Sequence, residues 1–292
     1  MRRGAWEPYF YVAPSVLLIA AIMVAPLITG LSYAFHDIIL LDPLSGDFVG
    51  FDHFRDMAED DSFWTALANT AVWTSVSVAL QFGLGLALAL LLNHPLPGRR
   101  LVQALIFLPW AVPGFLSGLT WAWLFNPVIG PLPHWLKAAG LMAEASNILS
   151  DPHVALWGPI VANVWWGIPF FAITLLAALQ SIPKDIYEAA SIDGAGPWRQ
   201  FCRITLPLLA PTILLTVMLR TVWVANFAEL IVVMTKGGPA DATQILASYI
   251  FSLAFQRLDF GYASAVAAVL LLLLLGYAAA VMALRRAMAE RG

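Results

Sequence analysis

Residues 260–284 read FGYASAVAAVLLLLLLGYAAAVMAL, twenty-five positions without one Asp, Glu, Lys or Arg. At 1.5 Å per helical residue the run reaches about 37 Å, more than the ~30 Å hydrocarbon core of a bilayer. Four comparable charge-free runs lie upstream, at 8–36, 62–98, 101–136 and 152–183. A sixth apolar segment, 208–234, is interrupted only by Arg220 and Glu229. Trimmed at Pro, Gly and Asn, these runs predict helices near 10–35, 67–92, 101–125, 154–180, 208–234 and 261–285. Lipid offers no partner for bare backbone, so helices are expected; a barrel would need alternating strands of about ten residues. Of the 292 residues, 61% are apolar and 11% charged, against roughly 45–50% and about 25% in soluble domains. A lone cysteine, Cys202, excludes a disulfide scaffold. The expectation is one all-α integral membrane domain over residues 1–292, with six transmembrane helices.

Charge placement orients it. With six spans, both termini share a side with the 93–100 and 181–207 loops. Those segments hold Arg2, Arg3, Arg99, Arg100, Lys184, Arg199, Arg203, Arg285, Arg286 and Arg291. The other three loops hold only Arg55, Lys137, Lys236 and Arg257. The positive-inside rule puts both termini in the cytoplasm. The 37–61 loop then faces outward, with eight acidic residues and one Arg. It is either simply solvated or also a contact for an extracytoplasmic partner. The first apolar run of 29 residues is too long for a cleaved signal, whose core takes about 7–15.

Catalysis finds no support. No Gly-Lys-Ser or Gly-Lys-Thr exists to cradle a nucleotide, and the five histidines show no paired metal-ligand spacing. Gly114-Phe115-Leu116-Ser117-Gly118 is one residue out of register for a serine site and lacks an in-span base. Two charges do fall inside a span. Arg220 and Glu229 are nine residues apart, on opposite helix faces and about 13 Å apart along the axis, so they cannot pair. Arg220 is expected to find a neighbouring helix or carbonyls. Trp223, Asn226 and Glu229 form a band on one side of the predicted helix. That band suits either a hydroxyl-rich ligand or interhelical hydrogen bonding. A secondary transporter with Glu229 as ion carrier requires broken helices at matching places in two halves, and the sequence signals none.

The 181–207 segment is too long for an ordinary helix connection, which takes about 2–8 residues. Pro183 suits a helix start, and Lys184 to Ile192 is helix-compatible. Gly194-Ala195-Gly196 breaks it, Pro197 opens a second helix and Pro207 is expected to end it. Ile186, Ala189, Ala190 and Ile192 offer a small apolar surface beside Glu188 and Asp193, which favours docking of a partner over a solvated connector.

Glu188-Ala189-Ala190, Asp193-Gly194-Ala195, Phe201, Ile204, Leu206-Pro207 and Pro211 resemble the EAA loop of ABC importer permeases. Thr235-Lys236-Gly237-Gly238-Pro239, Thr243, Tyr249, Phe255 and Asp259-Phe260-Gly261-Tyr262 are similar to the outer loop and last span of the carbohydrate-uptake branch, the maltose and glycerol-phosphate type. The likeness covers roughly 180–285, more weakly the rest. It implies a type I ABC importer permease fold and a place in the bacterial inner membrane. Partners implied are a second permease, two copies of a cytoplasmic ATPase and an external solute-binding protein, with no nucleic acid. ATP and Mg belong to the ATPase; no cofactor or metal is expected in this chain. Glu188, Ala189, Ala190, Asp193 and Gly194 become the coupling residues, with Glu188 facing a basic group and Gly194 making the turn. Asn226 falls where the maltose branch carries a sugar-site Asn, whereas Glu229 has no such counterpart. Trp223, Asn226, Glu229, Ser248 and Tyr249 are the expected substrate-pathway residues. The large outer domain of the maltose subunit is not in this sequence.

Overall fold

The computed structural model describes residues 7–42, 44–95, 97–141 and 147–289. Arg2, Arg3 and Arg291, part of the orientation argument, lie outside them. Among the described residues every named element is a helix, joined by turns and loops that carry isolated antiparallel bridges at His36–Phe48 and Ile39–Asp259. Five helical stretches are long and apolar enough to cross a bilayer: Tyr9–Tyr33, Asp61–Asn93, Trp157–Gln180, Pro197–Met234 and Phe260–Met288. The sixth candidate is not the straight helix expected over 101–125. It is Arg99–Ala111 followed by Gly114–Leu124, bent by 94°. Pro113 has no N–H to donate and pushes Val112 into an extended conformation (φ −84°, ψ 123°), so the helix stops there and restarts.

The chain forms two compact units, Met1–Phe63 with Tyr249–Leu272, and Trp64–Ser248 with Leu273–Gly292. In the first unit, Tyr9–Tyr33 has nothing buried along its length, as befits a helix whose solvent is lipid. The short helix Asp52–Glu59 buries His53 and Met57, four apart on one face. Asp60 then gathers the Tyr249 hydroxyl at 2.6 Å, the Tyr262 hydroxyl at 2.7 Å and the Ser62 N–H at 2.9 Å. Burial alone would raise its carboxyl pKa. The hydroxyl and backbone donors outweigh burial and hold it below the ordinary value.

The second unit holds an apolar core that includes Trp73, Leu92, Ile160, Phe171, Leu175, Leu209, Leu230 and Ile245. One expectation about its entry helix fails. Pro207 does not end the second hairpin helix: Pro197–Gln200 runs through a π turn, Phe201–Thr205, into Leu206–Ala225. Another π turn, Ala20–Val24, precedes Pro26 in the first unit. A widened turn ahead of each proline makes room for its ring and absorbs the missing donor, so the helix continues.

Candidate functional site

Two regions of the second unit hold most of the expected site residues, and one helix joins them. The first is the 184–205 hairpin. Lys184–Ile192 ends where Gly194 adopts φ +77°. Its Ala195 N–H reaches the Ala190 carbonyl at 2.8 Å and its Gly194 N–H reaches Ser191 at 3.1 Å, the paired bonds of a Schellman stop. Gln200 donates to the Ser191 hydroxyl and the Ala195 carbonyl, both at 2.9 Å. Tyr187 and Thr205 hydroxyls meet at 3.0 Å. The two arms are therefore latched at the turn and at the base. Glu188, Ala189, Asp193 and Gly194 are exposed, Ala190 partly so. Ile192 and Trp198 are exposed at 88% and 76%.

The second region is a pair of helix breaks. The stretch expected as a continuous helix over 208–234 stops at Ala225 and restarts at Glu229. Trp223, Asn226 and Glu229 therefore do not share one helix face as expected, although all three are exposed. Asn226 Nδ2 turns back to the Val222 carbonyl at 2.9 Å. The Trp73 indole N–H reaches the Val224 carbonyl at 2.8 Å. At the other break, the Trp166 indole N–H reaches the Val112 carbonyl at 2.9 Å. Carbonyls at both breaks are thus satisfied by tryptophans from other spans, which a low-dielectric surrounding demands.

The breaks meet at Gly114, where an added Cβ would stand 2.5 Å from Glu229 Oε2 and 2.8 Å from the Phe227 ring. Four residues on, a Cβ on Gly118 would stand 3.0 Å from Val233. The Gly114–Gly118 sequence that superficially suggested a serine site is thus a close-packing pair, set against Glu229–Met234.

Behind the breaks sits Arg220, 1% exposed. Its Nε donates to Gln81 Oε1 at 2.6 Å and its Nη2 lies 3.5 Å from Asn163 Oδ1. Gln81 Nε2 donates to the Asn163 carbonyl at 2.9 Å. The guanidinium carbon lies 5.2 Å from the Trp166 ring centre, and Trp166 stacks on Phe227 at 5.1 Å. Arg220 thus finds its partners on neighbouring spans, as expected, without an ion pair among the described residues. Gln81 and Asn163 were not singled out by sequence, although each is a polar residue inside a charge-free run. Trp166, Arg220, Trp223, Asn226 and Phe227 line a cavity of about 300 Å³.

Ser248 and Tyr249 are 2% exposed each. The Ser248 hydroxyl is shared between the Ile245 backbone and Gln244, and that of Tyr249 goes to Asp60. Nearby, Thr235 and Thr243 hydroxyls meet at 2.6 Å, and Asn69 Nδ2 serves the carbonyls of Asp241, Ala242 and Gln244 at 3.0–3.2 Å. The 235–249 motif is thereby a pinned turn.

Residues 81–289 match the family described as the binding-protein-dependent transport system inner membrane component. The sulfoquinovosyl glycerol transport permease of Agrobacterium fabrum is 35% identical over 258 residues, 88% of this chain and 83% of that one. The trehalose/maltose transport permease of Thermococcus litoralis is 34% identical over 275 residues, 94% and 92% of the two chains. A bacterial alginate ABC transporter, solved in complex with its alginate pentasaccharide-bound periplasmic protein, superposes with a TM-score of 0.79 at 25% identity, covering 98% of this chain and 94% of that one. With the latched hairpin and the broken spans, these matches place the chain among the inner-membrane permeases of binding-protein-dependent ABC transporters.

Proposed function

We propose that this chain forms half of the translocation pathway of an ABC importer for a sugar or sugar derivative. A similar permease supplies the other half. Two copies of a cytoplasmic ABC ATPase, which hold ATP and Mg, take the paired hairpins, and a solute-binding protein delivers substrate from outside. Both termini lie in the cytoplasm. The observation that carries the reading is continuity: one helical run begins at Pro197 in the hairpin and ends at Ala225, beside the cavity. At 1.5 Å per residue it spans about 43 Å. Because the hairpin is latched to its first turns through Gln200 and Thr205, displacement of Glu188, Ala189, Ala190, Asp193 and Gly194 by the ATPase moves this helix as a lever. The break at 226–228 is where that motion changes the cavity. ATP binding favours the outward-open state and hydrolysis resets it. The coupling free energy is the difference in hairpin contacts between the two states.

In the cavity, the faces of Trp166 and Trp223 and the amide of Asn226 are groups that a hydroxyl-rich ring uses, and Glu229 stands beside them across Gly114. Ser248 and Tyr249 belong to the pathway only in a state that frees their hydroxyls. A second reading, an anionic derivative such as glycerol phosphate or a sulfonated sugar, is supported by Arg220, a cation in the cavity wall with no carboxylate partner among the described residues.

The test is purification of the tagged chain from native membranes in mild detergent, beside Gly194→Pro. Proline cannot adopt φ +77°, so the turn must open. Co-purification of an ATPase and a second permease, with the ATPase lost in the variant, is expected. Recovery of the wild-type chain alone and stable would overturn the assignment.

A further inference from the structure

A further cavity of the second unit, lined in part by the hairpin itself, has no role in the transport cycle as proposed. It measures about 570 Å³ and lies where the third span starts, the fourth ends and the hairpin begins. Its wall includes Arg99, Arg100 and Gln103 from one side, Gln180 from the second, and Lys184 and Tyr187 from the third. No carboxylate lines it. Among the described residues, none of the three cations forms an ion pair, and Arg99 Nε is buried without a hydrogen-bond partner. Three like charges around one cavity repel each other, and an unpartnered guanidinium nitrogen is costly. An anion with several acceptor oxygens would relieve both. The basic residues also stand on the face that the positive-inside rule assigns to the cytoplasm, where anionic lipid headgroups lie.

We propose that this cavity binds a phosphate group, supplied by the headgroup of an anionic phospholipid. Arg99 offers the fixed fork suited to phosphate oxygens and Lys184 a point charge, while Gln103 and Gln180 offer neutral donors. Because Tyr187 lines the cavity and latches the hairpin through Thr205, occupancy stiffens the base of the coupling element.

The test uses the purified full chain, with any accompanying subunits, in phosphatidylcholine micelles. Short-chain phosphatidylglycerol is titrated and the bound lipid counted by native mass spectrometry; inorganic phosphate is titrated in a parallel arm. Each surface cation contributes about fivefold to binding of an anionic lipid. Arg99→Gln with Lys184→Gln should therefore weaken phosphatidylglycerol about 25-fold at low salt, and less as salt rises. The charge-preserving pair Arg99→Lys, Lys184→Arg should keep most of the binding, and Arg55→Gln, on the other face, all of it. Binding of inorganic phosphate with the same dependence on these residues, and no preference for the lipid, keeps the phosphate site and makes its source soluble. Equal lipid binding by wild type and the double Gln variant, with no phosphate binding, overturns the proposal. So does loss of the ATPase from the double variant without loss of lipid, since the cavity would then serve a protein carboxylate.

Discussion

Gly167 sits inside the fourth span at the closest approach of the Gln81–Asn163–Arg220 network. A methyl at Gly167 would fall within the van der Waals radii of Gln81 Cδ, Gln81 Oε1 and Arg220 Nη2. These are ends of long side chains, which ordinarily swing aside. Here Gln81 and Arg220 are 0% and 1% exposed, and either can swing aside only by giving up the hydrogen bonds that tie the network together. Gly167→Ala should break the 2.6 Å Arg220–Gln81 bond, worth about 1.5–3 kcal/mol for a charged donor. Against that stands the helix propensity of Ala over Gly, at most about 1 kcal/mol. The clash wins, and the net loss is about 1 kcal/mol, roughly fivefold in the unfolding constant. Gly276→Ala is the internal control: it lies in the last helix with nothing within 4 Å of the new methyl, so only the small gain applies. Equilibrium unfolding of the purified chain in mixed micelles reads both. In a Gln81→Ala background the cost of Gly167→Ala should shrink, because the methyl then has room. If Gly167→Ala stabilised the protein as much as Gly276→Ala, the network would not be the rigid element described.

Three further outcomes are expected. At Gly194, a Cβ meets nothing within 4 Å, so only the backbone objects: Gly194→Ala should cost about 1 kcal/mol of turn stability and Gly194→Asn less, in the same order as their loss of ATPase recovery. Tyr249→Phe removes one donor to the Asp60 carboxylate and should cost about 1.5–3 kcal/mol of thermal stability. Because the Asp60 pKa is depressed in the folded chain, its stabilisation is present above the unfolded value near 4. It is lost as pH falls through the folded value; Asp60→Asn should match wild type at the acid end and fall below it at neutral pH, followed by melting temperature from pH 7 to 3. Trp223→Ala and Asn226→Ala should each slow uptake about tenfold, the loss of one stacking or hydrogen-bonding contact of about 1.4 kcal/mol, while the ATPase is still recovered. Unchanged transport in both would remove them from the pathway.

The parts readable from sequence are those fixed by neighbours along the chain. The hairpin is one: Pro183 and Pro197 open its helices and Gly194 supplies the left-handed turn, all within fifteen residues. The breaks are the opposite case. Pro113 carried the signal for one of them, but a hydropathy argument reads straight through it because Ala111 to Phe115 is apolar throughout. Asn226–Ala228 contains neither Pro nor Gly. The Val224 carbonyl at its edge accepts from Trp73, 151 residues away, which no local pattern reveals. At Pro207 the error ran the other way: a breaker was read as a stop, while the π turn at Phe201–Thr205 let the helix pass. Ser248 and Tyr249 look like ligand groups in a list of polar side chains. Only the fold reveals Gln244 and Asp60 standing next to them.

A secondary transporter requires broken helices, and although the sequence signals none, two exist. Their placement nonetheless suits the proposed pathway, driven through the hairpin. The breaks lie in the third and fifth spans and converge on Gly114, with Phe227 and Glu229 across from it. Each exposes backbone that must find donors, and each finds an indole from another span. Trp166 does this for Val112 while standing under Arg220 and stacking on Phe227. One side chain therefore reports on the third-span break, the buried cation and the fifth-span break together. A shift of the helix that ends at Ala225 cannot occur without changing at least one of those contacts. That helix starts in the hairpin at Pro197. In the proposed cycle, work done on the hairpin is thus resisted at Trp166, in the wall of the cavity.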